Sequence, residues 1–150
     1  MADDVAQRER IFAEIERRFR ALDGVAEVDR MPSGEPASFE ALHIFDGGQR
    51  PGESDASSAR YDMAVTIQGY VEKGGGSVAH TALNWLYARA IATVMPEELG
   101  EHPLGGLAEV IEEGPMQVEV AKLADARRLT FIVDLFITFP TRRGDPAQPA

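Results

Sequence analysis

At 150 residues with a net charge of −10, the chain is long enough for one domain with its own core, and it lacks the Lys/Arg excess needed to hold nucleic acid by phosphate neutralisation. It contains no cysteine, which excludes disulfides, thiolate chemistry and cysteine-based zinc sites and suits a reducing compartment such as a cytoplasm. Charges interrupt every long apolar stretch, so no membrane span is expected, and the acidic start Met1-Ala2-Asp3-Asp4 is unlike a leader peptide.

In chain order, the first predicted element is a helix from Asp4 to Leu22. Val5, Phe12, Ile15, Phe19 and Leu22 recur at helical spacing and form one apolar stripe. Asp3 or Asp4 is the expected cap, and Asp23-Gly24 the expected stop. A short strand, Val25–Met31, follows and turns at Pro32-Ser33-Gly34. A second short strand spans Ala41–Phe45, alternating Leu42 and Ile44 with His43 and Phe45. Asp46–Ala59 holds three Gly, three Ser and one Pro without a large apolar anchor, and reads as an exposed loop.

Strict alternation makes the third strand the clearest. Tyr61, Met63, Val65, Ile67, Gly69 and Val71 share one face, and Asp62, Thr66, Gln68 and Glu72 the other. Lys73 and Gly74-Gly75-Gly76 then break the chain, and Ser77 is placed to cap a second helix reaching Met95 before Pro96. Leu83, Leu86, Tyr87, Ala90, Ile91 and Val94 form its apolar face, with Trp85 at the margin.

From Pro96 to Ala121 the chain carries seven Glu and no Lys or Arg, the pattern of a solvated acidic face. Within it, strands are predicted at Leu107–Glu112 and Met116–Leu123, joined by a hairpin-like break at Glu113-Gly114-Pro115. A last strand, Arg128–Phe139, puts Leu129, Phe131, Val133, Leu135, Ile137 and Phe139 on one face. Its other face, with Thr130, Ile132, Asp134, Phe136 and Thr138, is unusually apolar for solvent. Asp134 there calls for a partner, expected to be an Arg of a neighbouring strand. Strands that follow one another without helices between them predict an α+β fold: a mixed, mainly antiparallel sheet with two amphipathic helices on one face. Residues 1–140 are expected to form this single domain, and 141–150 a flexible tail.

Chemistry is sparse. His43, His80 and His102 fall on three different elements and share no metal-binding spacing, so surface or edge histidines are expected. Gly74-Gly75-Gly76-Ser77 lacks the Walker spacing and a following Lys, and reads as a connector. Glu97-Glu98 and Glu112-Glu113 are adjacent carboxylates, which point to opposite sides of extended backbone and make no acid/base dyad. Ser54, Ser57 and Ser58 carry no nucleophile signature. Neither catalysis nor a cofactor is expected.

Several segments together resemble the tail terminator and minor tail protein U-like family of long-tailed phages and gene transfer agents. They are Arg10-Ile11, Gly24-Val25-Ala26-Glu27-Val28, Ala41-Leu42-His43-Ile44-Phe45, the strand from Tyr61 to Tyr70, Ala82-Leu83, the strand from Leu129 to Leu135, and Gly144-Asp145-Pro146. Ala41 stands where relatives commonly carry a proline. The resemblance implies a structural virion protein that forms a homohexameric ring at the head-proximal end of a tail. Its partners would be the tail tube protein and a head-neck connector, and DNA would pass through the lumen without specific binding. On that basis Ile132, Asp134 and Phe136 are candidate subunit-interface residues. Gln49, Arg50, Arg60, Arg142 and Arg143 are candidate tube or neck contacts. Glu97, Glu98, Glu101, Glu112 and Glu113 are candidates for an acidic lumen or face. A head-tail connector, or more distantly a small ligand-binding or enzymatic domain, is the alternative.

Overall fold

The computed structural model describes residues 5–72, 76–96, 98, 100–123 and 126–150. The expected caps Asp3 and Asp4, the break from Lys73 to Gly75, and Glu97 lie outside the described residues. Helix α1 spans Gln7–Arg20. It buries Ile11, Phe12, Ile15 and Phe19, while Val5 is exposed, so Ile11 takes the place in the stripe that the spacing assigned to Val5. Each such side chain contributes about 1.5–3 kcal/mol on burial. Ala6 caps the helix without a side-chain hydrogen bond, and Gly24, at φ 81°, turns the chain after it as expected.

Five strands among the described residues form one sheet in the order β1-β2-β3-β5-β4: β1 Glu27–Arg30, β2 Ala41–Pro51, β3 Ser58–Tyr70, β4 Val110–Leu123 and β5 Ala126–Arg142. β1 and β2 are parallel, and every other pairing is antiparallel. Helix α2, Gly76–Val94, begins one residue before the expected Ser77 cap, and a 3-10 turn covers Leu104–Gly106. Both helices pack on one face of the sheet. The core joins Ile11, Ile15 and Phe19 of α1, Leu83, Leu86 and Ala90 of α2, and Leu42, Ile44, Met63, Val65, Ile67, Phe131, Val133, Leu135 and Ile137 of the strands. The fold is the expected α+β arrangement of a mixed, mainly antiparallel sheet with two helices beside it.

Three elements differ from the sequence reading. β2 does not stop at Phe45. It continues to Pro51, pairing Gln49, Arg50 and Pro51 with Met63, Asp62 and Tyr61, so most of the expected 46–59 loop is ladder and the connection shrinks to 52–57. A bulge between Asp46 and Gln49 absorbs Gly47 and Gly48. Second, Glu113-Gly114-Pro115 is no hairpin. The chain passes straight through it as one strand, β4, with a bulge between Glu113 and Met116, because the long β5 pairs with both halves. Third, β5 runs on to Arg142, and the chain then turns back. Thr141 is buried, Arg142 N–H donates to Gln148 O at 3.0 Å and Arg143 N–H to Ser57 O at 3.2 Å.

The bulge in β2 is tied to α1. Arg8 donates from Nη1 and Nη2 to the Asp46 carboxylate at 2.6 and 2.9 Å, and from Nε to Gln49 Oε1 at 2.9 Å. Hydrogen bonding by Arg8, more than its charge, holds the Asp46 carboxyl below its ordinary range against the opposing effect of burial. A carboxyl lowered by folding stabilises above the unfolded value, and that contribution is lost as pH falls through the folded one. Asp46→Asn should therefore cost about 1 kcal/mol at neutral pH. In parallel denaturant titrations, the gap between parent and variant should close in acid below the ordinary aspartate range. A gap that persists there would separate Asp46 from this pairing.

Candidate functional site

The helices cover one face of the sheet and leave the other to itself. Laterally paired residues share a face, so this open face carries Ala41, His43 and Phe45 of β2 and Asp62, Ala64, Thr66, Gln68 and Tyr70 of β3. From β5 come Thr130, Ile132, Asp134, Phe136 and Thr138. It divides into two parts.

At one end, residues 36–40 lie over the sheet. His43 is 1% exposed, Tyr70 and Thr130 are buried with it, and Pro36 is buried above. Glu27 anchors the cover: its carboxylate pairs with His43 Nε2 at 2.6 Å and accepts the Ala37 and Ser38 N–H groups at 2.9 and 3.4 Å. Burial pushes the Glu27 carboxyl up, but these hydrogen bonds together outweigh it and hold the group below its ordinary value. Burial, and then the Glu27 charge, push the Tyr70 phenol up. The Arg128 guanidinium lies 4.6 Å from the Phe39 ring centroid and completes the cover. His43 is thus neither a surface nor an edge histidine. Its alternation with Leu42 and Ile44 is as expected, but the segment that covers it could not be foreseen from β2. His80 and His102 are exposed as expected.

At the other end the face is open and concave. A groove of about 700 Å³ has Phe136, Ala64, Asp62 and Thr138 along its floor, Gly47 to Arg50 on one side and Glu112 on the other. Phe136 sits at its centre, 45% exposed, and pairs across the ladder with Ala64, whose small side chain leaves the ring uncovered. On either side of this pair a hydroxyl holds a carboxylate. Thr66 Oγ1 donates to Asp134 Oδ1 at 2.6 Å, and Thr138 Oγ1 donates to Asp62 Oδ1 at 2.7 Å. The partner of Asp134 is therefore a threonine and not the expected Arg. Two strands of opposite direction place a Thr opposite an Asp twice, so neither carboxylate needs a cation to be held on the surface. Ile132, nearer the covered end, is only partly exposed.

The remaining expected site residues are split by the fold. Arg60 and Arg142 lie in the ladder at the far end of β3 and β5, where Ser58 pairs with Arg142 and Arg60 with Pro140. Arg60 is engaged with Glu109 at 2.8 Å and Asp55 at 3.8 Å, and Arg143 Nη1 donates to Asp55 O at 3.1 Å. These contacts hold the 52–57 connection, whose Asp55 accepts from both Ser57 and Ser58 and is held well below the ordinary aspartate range by them. Gln49 is tied to Arg8, which leaves Arg50, 3.9 Å from Asp62, as the exposed cation at the groove. Glu112 is on the groove side of β4. Glu113 is on the helix side, where its carboxylate accepts from the Tyr87 hydroxyl. Glu98 and Glu101 are exposed in the connection after α2.

Among the described residues no group of three or more His, Cys, Asp or Glu side chains is placed to hold a metal ion. No described helix is long and apolar enough to cross a membrane. No protein-family model matches the chain, and no curated protein matches it. Among solved structures, it is similar to a chain described as "Virion of native gene transfer agent (GTA) particle". That match is 16% identical, covers 84% of this chain and 92% of that one, and has a TM-score of 0.49.

Proposed function

We propose that this chain is a structural tail terminator of a phage-like particle, whose copies close into a hexameric ring on the head-proximal end of the tail tube. The ring stops tube polymerisation and offers the head-neck connector its docking surface. The single observation that carries the reading is the open groove around Phe136, whose aromatic ring is 45% exposed amid polar side chains on a sheet face that the helices do not cover. The resemblance across the chain, from Arg10-Ile11 to Gly144-Asp145-Pro146, supplies the identity of the assembly. A net charge of −10 fits a ring through which DNA passes without adhering. On this reading Ile132, Asp134 and Phe136 belong to the subunit interface, and Arg50, Gln49, Arg60, Arg142 and Arg143 lie toward tube or neck. The role is steric and electrostatic, with no reaction step, and the protein resides in the virion.

The test is tube growth in vitro. Purified tube protein polymerised with increasing amounts of this chain should give shorter tubes with one closed end, measured by negative-stain microscopy. Unaltered tube lengths, together with binding to portal or adaptor protein, would assign the chain to the neck instead.

A further inference from the structure

Residues 32–39 cross the covered end of the open face without backbone bonding of their own. Pro32 and Pro36 have no N–H to offer, and among the described residues this segment makes no backbone–backbone hydrogen bond. It is tied only where it begins and ends. Met31 N–H donates to Ile44 O at 2.8 Å, and Glu40 O accepts the Ala26 and Glu27 N–H groups at 2.8 and 3.3 Å. Between these ties Pro36 is the one buried residue, yet what lies beneath, His43, Tyr70 and Thr130, is buried throughout.

One carboxylate bridges the segment to the sheet. Glu27 of β1 accepts the Ala37 and Ser38 N–H groups above and pairs with His43 Nε2 of β2 below. An ionised carboxylate can only accept, so the ring nitrogen is the donor, and it can donate whether the imidazole is neutral or charged. Protonation of Glu27 undoes the arrangement in two ways. The carboxyl loses the charge that strengthens these bonds, and a charged His43 ring would be left 1% exposed without a counter-charge.

The other groups round the pair cannot replace that carboxylate. Asp29, the register partner of His43 on β1, is exposed, as is Glu35 within the segment. Tyr70 of β3 meets the His43 ring edge-on at 5.3 Å between centroids, and its phenol is pushed up by burial and then by the Glu27 charge. Arg128 of β5 stands over the Phe39 ring. Burial pushes the Glu40 carboxyl up against the opposing charge of Arg89 from α2. β4 contributes the Glu119 carbonyl, which accepts from Thr130 Oγ1 at 3.3 Å.

We propose that residues 32–39 form a strap latched by Glu27, which opens as a unit, ahead of the sheet, when that carboxylate loses its charge. Opening uncovers His43 and Tyr70 and lengthens the open face toward β1. Because hydrogen bonding outweighs burial and lowers the Glu27 carboxyl, the latch is fully engaged above the ordinary glutamate range. It is lost as pH falls through the lower, folded value, so the strap is closed near neutrality and opens in acid. The latch is internal to one chain and does not depend on the ring reading.

Glu27→Gln keeps the size of the side chain and removes its charge. In residue-resolved hydrogen exchange of the full chain at neutral pH, the Ala37 and Ser38 amides of this variant should lose protection by roughly 10-fold, the loss expected when bonds to a charged acceptor are weakened. The amides of Val65, Ile67 and Val133 in the central strands should keep theirs. Asp29→Asn, which removes the neighbouring charge on the same strand, should leave the strap as protected as before. In the parent chain the same two amides should lose protection below the ordinary glutamate range while the central strands stay protected, compared as protection factors so that the effect of pH on chemical exchange is divided out. Unchanged strap protection in Glu27→Gln, or an equal loss in Asp29→Asn, would remove Glu27 as the latch. Loss of strap and strand protection together, in the variant or in acid, would mean that the segment has no opening of its own.

Discussion

A Phe136→Asp variant should stay folded, fail to associate and leave tail tubes uncapped. Phe136 is nearly half exposed, and its ring contributes little to the core on the helix side of the sheet. The substitution trades an aromatic for a poor strand former and sets a fourth carboxylate among Asp62, Asp134 and Glu112. The cost to the monomer should be about 1 kcal/mol, or roughly 2–4 °C in melting temperature for a chain of this size. The cost to association should be far larger, because the new charge would have to be desolvated without a partner. Analytical ultracentrifugation and tube-length measurement check the two halves. A folded variant that still caps tubes would remove Phe136 from the interface.

Gly69→Ala should be the most damaging small substitution in the sheet. Gly69 pairs with Phe131 across β3 and β5 on the helix side, and the Phe131 ring lies flat over it. A Cβ at position 69 would meet Phe131 Cε2 at 2.0 Å, with two further ring atoms at 2.6 Å. The ring cannot swing away easily, since its edge meets Tyr87 at 5.5 Å between centroids and Phe131 is fully buried. Forcing extra volume into such a core costs about 1–3 kcal/mol, which should lower the melting temperature by roughly 2–12 °C. Phe131→Leu should cost stability alone but recover part of it in combination with Gly69→Ala. Strictly additive losses in that double-mutant cycle would mean that the ring and the glycine are not in conflict.

What the sequence made legible follows where side chains carry the structural signal. β3 was plain because Met63, Val65 and Ile67 alternate with polar residues, and the last strand because six apolar residues alternate with a half-polar face. Phe136 was singled out for the same reason. Where backbone carries the structure, the sequence was mute or misleading. The extension of β2 is held by its ladder to β3 and by Arg8, whereas Gly47 and Gly48, which have no side chain, and Pro51, which lacks an N–H, resemble a loop. Gly114-Pro115 is a strong turn signal in isolation, yet β5 offers enough length to pair on both sides of it, and the bulge is the compromise. The groove was invisible because it is made by absent side chains, those of Gly47, Gly48 and Ala64. The partner of Asp134 required the β3–β5 register, which no local pattern encodes. Trp85, at the margin of the buried face of α2, is 65% exposed.

The bulge in β4 has a meaning of its own. β4 is a border strand of 14 residues, and such a border is an open invitation to any other extended chain to add itself indefinitely. Pro115 lacks an N–H, the bulge throws the two halves out of line, and Glu112, Glu113 and Glu119 put like charges along the way. The opposite border, β1, offers only four residues. Growth by strand addition is thus discouraged at both margins, and on the ring reading proposed above any contact between copies would fall to their faces, where shape can set a finite count.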